Sequence, residues 1–512
     1  MDSTPLRSPH PADRTLLGIA TLTALLHAMV AARYDFFRDE LYFIVAGQHP
    51  SFGYVDQPPL APLLAAGLYA LGDGNVWLLR LPVVLAAGAL VWVTGRFAML
   101  LGGNRTAVTV AALAAGIAPM LMGLTGTLNT SAFDPLAWTA IALLLVVALR
   151  GGSERALVAA GLVAGIDLQI KYALVFWAVS LAAGLLLTPE RRLLKRRGFW
   201  LGLGLGALIA LPSALWQAAH GFPFLELGAA AGGKNADVPL GAFLANQVVV
   251  MNPLLAPLWL AGLVAPFVVP RLKDLRFLAI ACLAMLVIVR LIHGKDYYLA
   301  PCYPILFAIG AAALAPWFAS TGRRIAGGVI LAGALAVSAL AAPLGLPILA
   351  PETLARYIAA IGFAPQRQEK NFAGTALPQH FADQLGWRDF ARQVGASWNR
   401  IPADQRAHTA ILMDNYGEAA ALDIHAGQYA LPPALSGHNH YYLWGLRGQN
   451  PVHVLTLADP GEDLRPYCAR VTELGTTFSR FAMAYENGNR LVFCEGVRPS
   501  LAQLWPAQKG FR

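Results

Sequence analysis

The chain has 512 residues, 57% hydrophobic and only 13% charged, about half the charged share of a soluble globular protein. Water is therefore excluded as its main solvent, and four cysteines are too few for a disulfide scaffold. The formal charge of +9 does not point to nucleic acid, because Lys and Arg gather in short loops between apolar stretches, as they do in membrane proteins.

Uncharged stretches long enough to cross a bilayer recur from Leu16 to Leu344, whereas Pro351 to Arg512 reads like an ordinary soluble sequence. The first, Leu16 to Ala32, follows Arg7 and Arg14 and has the outline of a signal peptide. We read it as a retained anchor, since the polar residues directly after it need one. The pattern predicts about eleven spans, at 15–33, 76–95, 106–122, 134–149, 156–167, 170–187, 199–217, 244–269, 277–292, 299–318 and 325–343. Ala156 to Leu187 decides the parity: at about 1.5 Å per residue it is too long for one span and short for two. With Asp167, Gln169 and Lys171 forming a turn between two short helices, sixteen Lys and Arg of the short segments fall on the cytoplasmic side and seven on the other. That asymmetry predicts an inside N-terminus and an outside C-terminus. The expected organisation is a transmembrane part, 1–343, followed by a periplasmic α/β domain, 344–512. Strands are expected at Thr409 to Met413, Val452 to Leu457 and Arg490 to Phe493, and helices at Gln379 to Trp398 and Glu462 to Leu474. Cys282 and Cys302 lie in or beside apolar spans and read as buried thiols, while Cys468 and Cys494 have the option of one disulfide in an oxidising periplasm.

Chemistry-bearing residues collect on the outer side. Tyr34-Asp-Phe-Phe-Arg-Asp-Glu-Leu-Tyr-Phe leaves the first span directly and sets Asp39 and Glu40 side by side among aromatics, where a carboxylate can take a proton from a hydroxyl at the interface. The same segment serves equally as an interfacial loop in which Arg38 offsets the acids. In Gly53-Tyr-Val-Asp-Gln-Pro-Pro-Leu, two prolines stiffen the backbone after Asp56. Asp134, in Phe133-Asp-Pro, opens the fourth span, where it serves equally as a helix cap or as a third outer acid. Outer lysines are few, so Lys171 in Gln169-Ile-Lys-Tyr and Lys295 in His293-Gly-Lys-Asp-Tyr-Tyr stand out. Such cations near Tyr297 and Tyr298 suit an anionic lipid head group, or simply snorkel to the interface. His220 is a metal ligand or, as for most lone histidines, an interfacial side chain.

In this order Arg38-Asp-Glu-Leu-Tyr, Asp56-Gln-Pro-Pro-Leu, Phe133-Asp-Pro, Lys171-Tyr and Gly294-Lys-Asp-Tyr-Tyr-Leu-Ala-Pro-Cys-Tyr-Pro resemble the bacterial glycosyltransferase family related to protein O-mannosyltransferases and to the lipid A aminoarabinose transferase, glycosyltransferase family 39-like. Asn415-Tyr-Gly-Glu-Ala-Ala-Ala-Leu-Asp and Leu435-Ser-Gly-His-Asn-His-Tyr-Tyr-Leu-Trp-Gly extend the likeness through the soluble part. The resemblance implies a GT-C fold in the bacterial inner membrane. Its outward cavity would pass a sugar from a polyprenyl-phosphate carrier to a hydroxyl of a lipid, glycan or protein, with inversion. It makes Asp39 the candidate base, with Glu40 and Asp134 as further candidate catalytic acids, and gives the carrier phosphate to Lys171, Lys295, Tyr297 and Tyr298. In the aminoarabinose branch the acid matching Asp56 is a glutamate followed by lysine, and a histidine after the seventh span binds metal. Here Gln57 follows Asp56, Lys234 is a candidate replacement for the missing cation, and a divalent metal ion would fall to Asp56 and His220. The family places its soluble domain over the cavity mouth, so His438, Asn439 and His440 are candidates for substrate contact or for a plain turn. A transporter or flippase of a lipid-linked sugar would share the carrier site but need alternating access, and no repeat between the two halves supports one.

Overall fold

The structure is a computed structural model that describes residues 11–234, 238–363 and 375–511. Arg7, one of the charges counted on the cytoplasmic side, lies outside the described residues. The chain folds as two compact units whose segments alternate along the sequence: Met1–Ala32, Arg80–Pro212 and Asp237–Ile348 form the first, and Arg33–Leu79, Ser213–Ala236 and Leu349–Arg512 the second.

The first unit is helical. Each apolar stretch expected to span falls on a helix or on a broken pair of helices, beginning with Pro11–Val30 and ending with Thr321–Gly345. Among the described residues, four helices are long and apolar enough to cross a membrane, or six if each of two bent pairs makes one span. The bends have local causes. Leu174–Leu186 turns into Pro189–Lys195 through 114° at a proline, and Leu240–Val250 turns into Pro253–Val268 through 92°. At the second bend Asn252 donates its side-chain amide to the Ala334 carbonyl (2.7 Å) and to Ser338 Oγ (2.8 Å), which answers polar groups that lipid could not. The 156–187 stretch is two helices, Glu154–Leu168 and Leu174–Leu186, separated by the turn the charge pattern required.

Small residues let these helices approach closely. A Cβ on Gly262 would sit 2.0 Å from the Leu306 carbonyl oxygen, and one on Gly310 would sit 2.0 Å from that of Leu258, so Ala256–Val268 and Cys302–Leu314 touch backbone to backbone. Facing the other way, Thr321–Gly345 buries only 11% of its most apolar window, and Leu17, Leu22, Leu25 and Met29 of the first helix are exposed. Apolar faces of that extent need lipid. The chain is a multi-pass membrane protein. Arg80, counted among the outer charges, is fully buried and donates to the Ala31 carbonyl at 2.6 Å. Cys282 and Cys302 are buried thiols.

The second unit carries a five-stranded sheet, β1 Thr409–Met413, β2 Leu435–Ser436, β3 His453–Ala458, β4 Cys468–Thr476 and β5 Arg490–Val497, in the order β2-β1-β3-β5-β4. β1 runs parallel to β2 and β3, and β5 runs antiparallel to β3 and β4. The three expected strands are present. The expected helix at 379–398 is broken into Gln379–Ala382 and Trp387–Arg400, because Gly386 has φ +94°, outside the helical region. The expected helix from Glu462 to Leu474 is wrong. Its second half belongs to β4, where Val471 and Thr472 pair with Cys494 and Phe493 of β5 and tertiary pairing overrides a weak helical pattern. A disulfide joins Cys468 to Cys494 across those two strands. Since it closes a loop with a sequence separation of 26, Cys468→Ser should lower the stability of this sheet by about 2–4 kcal/mol, read as an earlier unfolding midpoint in denaturant.

The segment expected to be a long outer loop, Tyr34 to Asn75, is built into this same unit. It forms the helices Arg38–Gln48 and Leu60–Leu71, and the first of these packs on the helix Tyr416–Tyr429.

Candidate active site

In the second unit the helix Arg38–Gln48 begins where Glu40 Oε2 accepts the Phe37 backbone N–H at 2.8 Å. Glu40 is wholly buried. This is a capping contact that fixes the start of the helix, so the two adjacent acids are not equivalent. Asp39, one residue earlier, keeps 31% of its side chain exposed. Its Oδ1 accepts the hydroxyl of Tyr416 at 2.8 Å. Arg38 donates Nη1 to the Tyr485 hydroxyl at 2.6 Å and lays its guanidinium over the Tyr416 ring, 5.3 Å from the centroid.

Tyr416 is itself held from below. Asn415 caps its helix by accepting from Gly417 N (2.8 Å) and Glu418 N (3.1 Å), and its amide donates to Glu418 Oε1 (2.8 Å) and Glu486 Oε1 (3.2 Å). Burial pushes both of these carboxyl groups above the usual range.

Asp56 lies in the same cluster. Tyr42, one turn along from Asp39, donates its hydroxyl to Asp56 Oδ1 at 2.9 Å, and the Asn439 amide donates to Oδ2 at 3.3 Å. Burial pushes the Asp56 carboxyl up to about 7, while the Tyr42 and Asn439 hydrogen bonds pull it down and the charge of Asp39 adds to the rise. Burial, then the Asp56 charge, pushes the Tyr42 hydroxyl well above its ordinary value, so it remains a donor. The Tyr42 and Tyr416 rings pack with centroids 4.6 Å apart, which links the two carboxylates through their tyrosines.

His220 is exposed and stacks on Trp216, centroid to centroid 4.0 Å, with Nδ1 against the Trp216 carbonyl at 2.8 Å. His440 is buried against Tyr54, Trp216 and Trp444, and burial, helped by His220 and His49, lowers its pKa to about 3. Both Asp56 oxygens accept hydrogen bonds from neutral donors, and among the described residues no three His, Cys, Asp or Glu side chains form a metal-binding group. Lys234 ends the helix Pro223–Lys234, and its side chain lies outside the described ones.

The first unit holds a separate cluster around Lys171. Asp134 opens the helix Asp134–Gly151 after a short turn, Thr130–Ala132, that Asn129 caps through Ser131 N at 2.9 Å. Lys171 reaches into it, with Nζ 3.3 Å from Asp134 Oδ2 and donating to Ser131 Oγ at 2.5 Å. The same ammonium lies 5.1 Å from the Tyr298 ring centroid and 5.8 Å from that of Tyr297. Those tyrosines sit on the turn Asp296–Leu299, which Lys295 precedes. The turn is pinned by Asn246 donating to Asp296 Oδ2, by Gln247 Nε2 donating to the Asp296 carbonyl (3.2 Å), and by the Tyr303 hydroxyl on Gln247 Oε1 (2.9 Å). Lys171 is thus a largely buried cation paired with Asp134 and flanked by two aromatic faces and a hydroxyl.

Of the residues singled out from the sequence, the structure brings Asp39 and Asp56 into one cluster and Asp134, Lys171, Tyr297 and Tyr298 into another. Sequence reasoning missed Tyr42 and Tyr416. Tyr42 had a readable signal, three residues beyond Asp39 and so on the same helix face.

Against known proteins, residues 56–216 match the family model described as dolichyl-phosphate-mannose-protein mannosyltransferase. The crystal structure of ArnT from Cupriavidus metallidurans bound to undecaprenyl phosphate superposes with a TM-score of 0.55 at 14% identity, over 93% of this chain and 97% of that one. The chain has a GT-C glycosyltransferase fold. The apo structure of the same ArnT gives the same answer for this GT-C chain, with a TM-score of 0.56 at 14% identity over 93% and 96% of the two. No curated protein sequence matches it.

Proposed function

We propose that this protein takes a sugar from a polyprenyl-phosphate carrier and transfers it, with inversion, to a hydroxyl of a lipid, glycan or protein acceptor on the periplasmic side of the bacterial inner membrane. The observation that carries the reading is Asp39: a partly exposed carboxylate at the start of a short helix, held by the Tyr416 hydroxyl at 2.8 Å. Such a group is oriented to receive the acceptor's proton while its exposed portion stays accessible. The ArnT relative binds undecaprenyl phosphate, and the Lys171, Tyr297 and Tyr298 group offers this chain the matching chemistry for a departing phosphate, whose charge grows in the transition state. Lys295, beside the same turn, is assigned to the carrier phosphate as well. Glu40 supports the helix rather than the chemistry, and Asp134 sets Lys171.

The helical unit within 1–343 is assigned to the membrane, and 344–512, with the segments Arg33–Leu79 and Ser213–Ala236 that fold with it, to the periplasm. The charge asymmetry of the loops supports that orientation, as does the Cys468–Cys494 disulfide, a bond that persists in oxidising compartments. A reporter active only in the cytoplasm, fused after Arg512, should be silent, and a reporter active only in the periplasm should work there. The reverse result would move the C-terminus inside. Purified protein in proteoliposomes, supplied with a polyprenyl-phosphate sugar and candidate acceptors, tests the reaction itself by the release of polyprenyl phosphate.

A further inference from the structure

Asn439 has φ +49° and ψ −130°, a conformation that glycine adopts freely and a side chain with a Cβ rarely does. The turn does not require an asparagine. Its fixed points are main-chain contacts that any residue makes: Asn439 N to Gly510 O at 3.0 Å, Gly510 N to Gly437 O at 2.9 Å, and Tyr442 N to Asn439 O at 3.2 Å. What the side chain adds is a buried amide, 3% exposed, whose Nδ2 donates to Asp56 Oδ2 at 3.3 Å. Strain retained where glycine would fit better points to a use for the side chain.

We propose that Asn439 is a positioning residue of the acidic site, kept in a glycine-type conformation because its amide orients Asp56. The proposal rests on the glycosyl-transfer reading given above. Two side-chain donors hold Asp56, the Asn439 amide on one oxygen and the Tyr42 hydroxyl on the other. Tyr42 in turn packs on Tyr416, which holds Asp39, and the backbone N–H of His440 donates to the Tyr42 hydroxyl at 3.3 Å. Loss of the amide frees one oxygen of Asp56 from its side-chain donor and lets the pair of tyrosines relax, so the carboxylate that takes the proton loses its fixed aim.

Asn439→Gly tests this, because it relieves the backbone and removes the amide that reaches Asp56. In proteoliposomes the variant should keep the thermal midpoint of the wild type or exceed it, keep the KM for the polyprenyl-phosphate sugar, and lose about tenfold in kcat, the factor typical of one hydrogen bond to a charged group. In an Asp56→Ala background, which removes the acceptor altogether, the same substitution should cost no further activity, and should raise the midpoint by more than it does in the wild type, since no contact is left to lose. Wild-type kcat in Asn439→Gly, an equal loss in both backgrounds, or an equal midpoint shift in both would overturn the proposal. Failure of the underlying reading looks different: the wild type itself transfers no sugar, and the midpoints of the four proteins still decide whether Asn439 acts on Asp56.

Discussion

Asp39→Asn is expected to reduce sugar transfer by about 10²- to 10⁴-fold while leaving carrier binding and folding intact, the usual cost of removing a general base. The substitution keeps the shape of the side chain, and an amide still accepts the Tyr416 hydroxyl through its carbonyl oxygen. What it removes is the ability to take a proton from the acceptor. Tyr416→Phe makes the complementary variant. It leaves the carboxylate but removes its orienting donor, so the loss should be smaller and should fall on kcat rather than on the donor's KM. Measured transfer and donor binding for the two variants separate the roles. A wild-type rate in Asp39→Asn would remove Asp39 from the chemistry.

Lys171→Met should carry the second largest effect, in two parts. Its ammonium neutralises Asp134, a buried carboxylate at 3.3 Å, and deletion of one partner of a buried pair typically costs about 3–5 kcal/mol because the other charge is stranded. The carrier phosphate would lose a charge-assisted contact worth about 1.5–3 kcal/mol, or roughly 10- to 150-fold in affinity. The two parts are separable. Lys171→Met combined with Asp134→Asn removes the stranded charge and should recover much of the lost thermal stability, yet carrier binding should stay weak. Lys171→Arg, which keeps the cation, should bind the carrier nearly as the wild type does. Carrier affinity that follows stability through all three variants would make Lys171 a structural partner of Asp134 and nothing more.

Much of the membrane part was legible because its signal is local. Apolar runs near the bilayer thickness, charges in the loops between them and a polar turn at 167–171 are each visible within a short window, and each corresponds to a helix or a break in the structure. The bend inside 244–269 was not read: that stretch is expected as one span, and the structure breaks it before Pro253. The errors arose where distant pairing decides. Residues 468–476 form a strand because β5 is there to pair with, and the partner lies beyond any helical window. The active-site cluster shows the same limit. Tyr416 and Asp39 are 377 residues apart, and nothing near either residue announces the hydrogen bond between them. Glu40 is the opposite case: Asp39 and Glu40 look alike in the sequence, and only the capping contact to Phe37 N shows that one supports the helix while the other faces out. Asp56 and His220 each serve a neighbour that the sequence does not announce, Asp56 by accepting from Tyr42 and Asn439 and His220 through Nδ1 against the Trp216 carbonyl.

The carrier's fate tests the central claim most directly. In sealed proteoliposomes loaded with a polyprenyl-phosphate sugar and an acceptor hydroxyl, the wild-type protein should release polyprenyl phosphate in step with glycosylated acceptor, and Asp39→Asn should release neither while still binding the donor. Intact lipid-linked sugar that crosses the bilayer with no polyprenyl phosphate released, at the same rate in the wild type and in Asp39→Asn, would contradict transfer and make the protein a flippase.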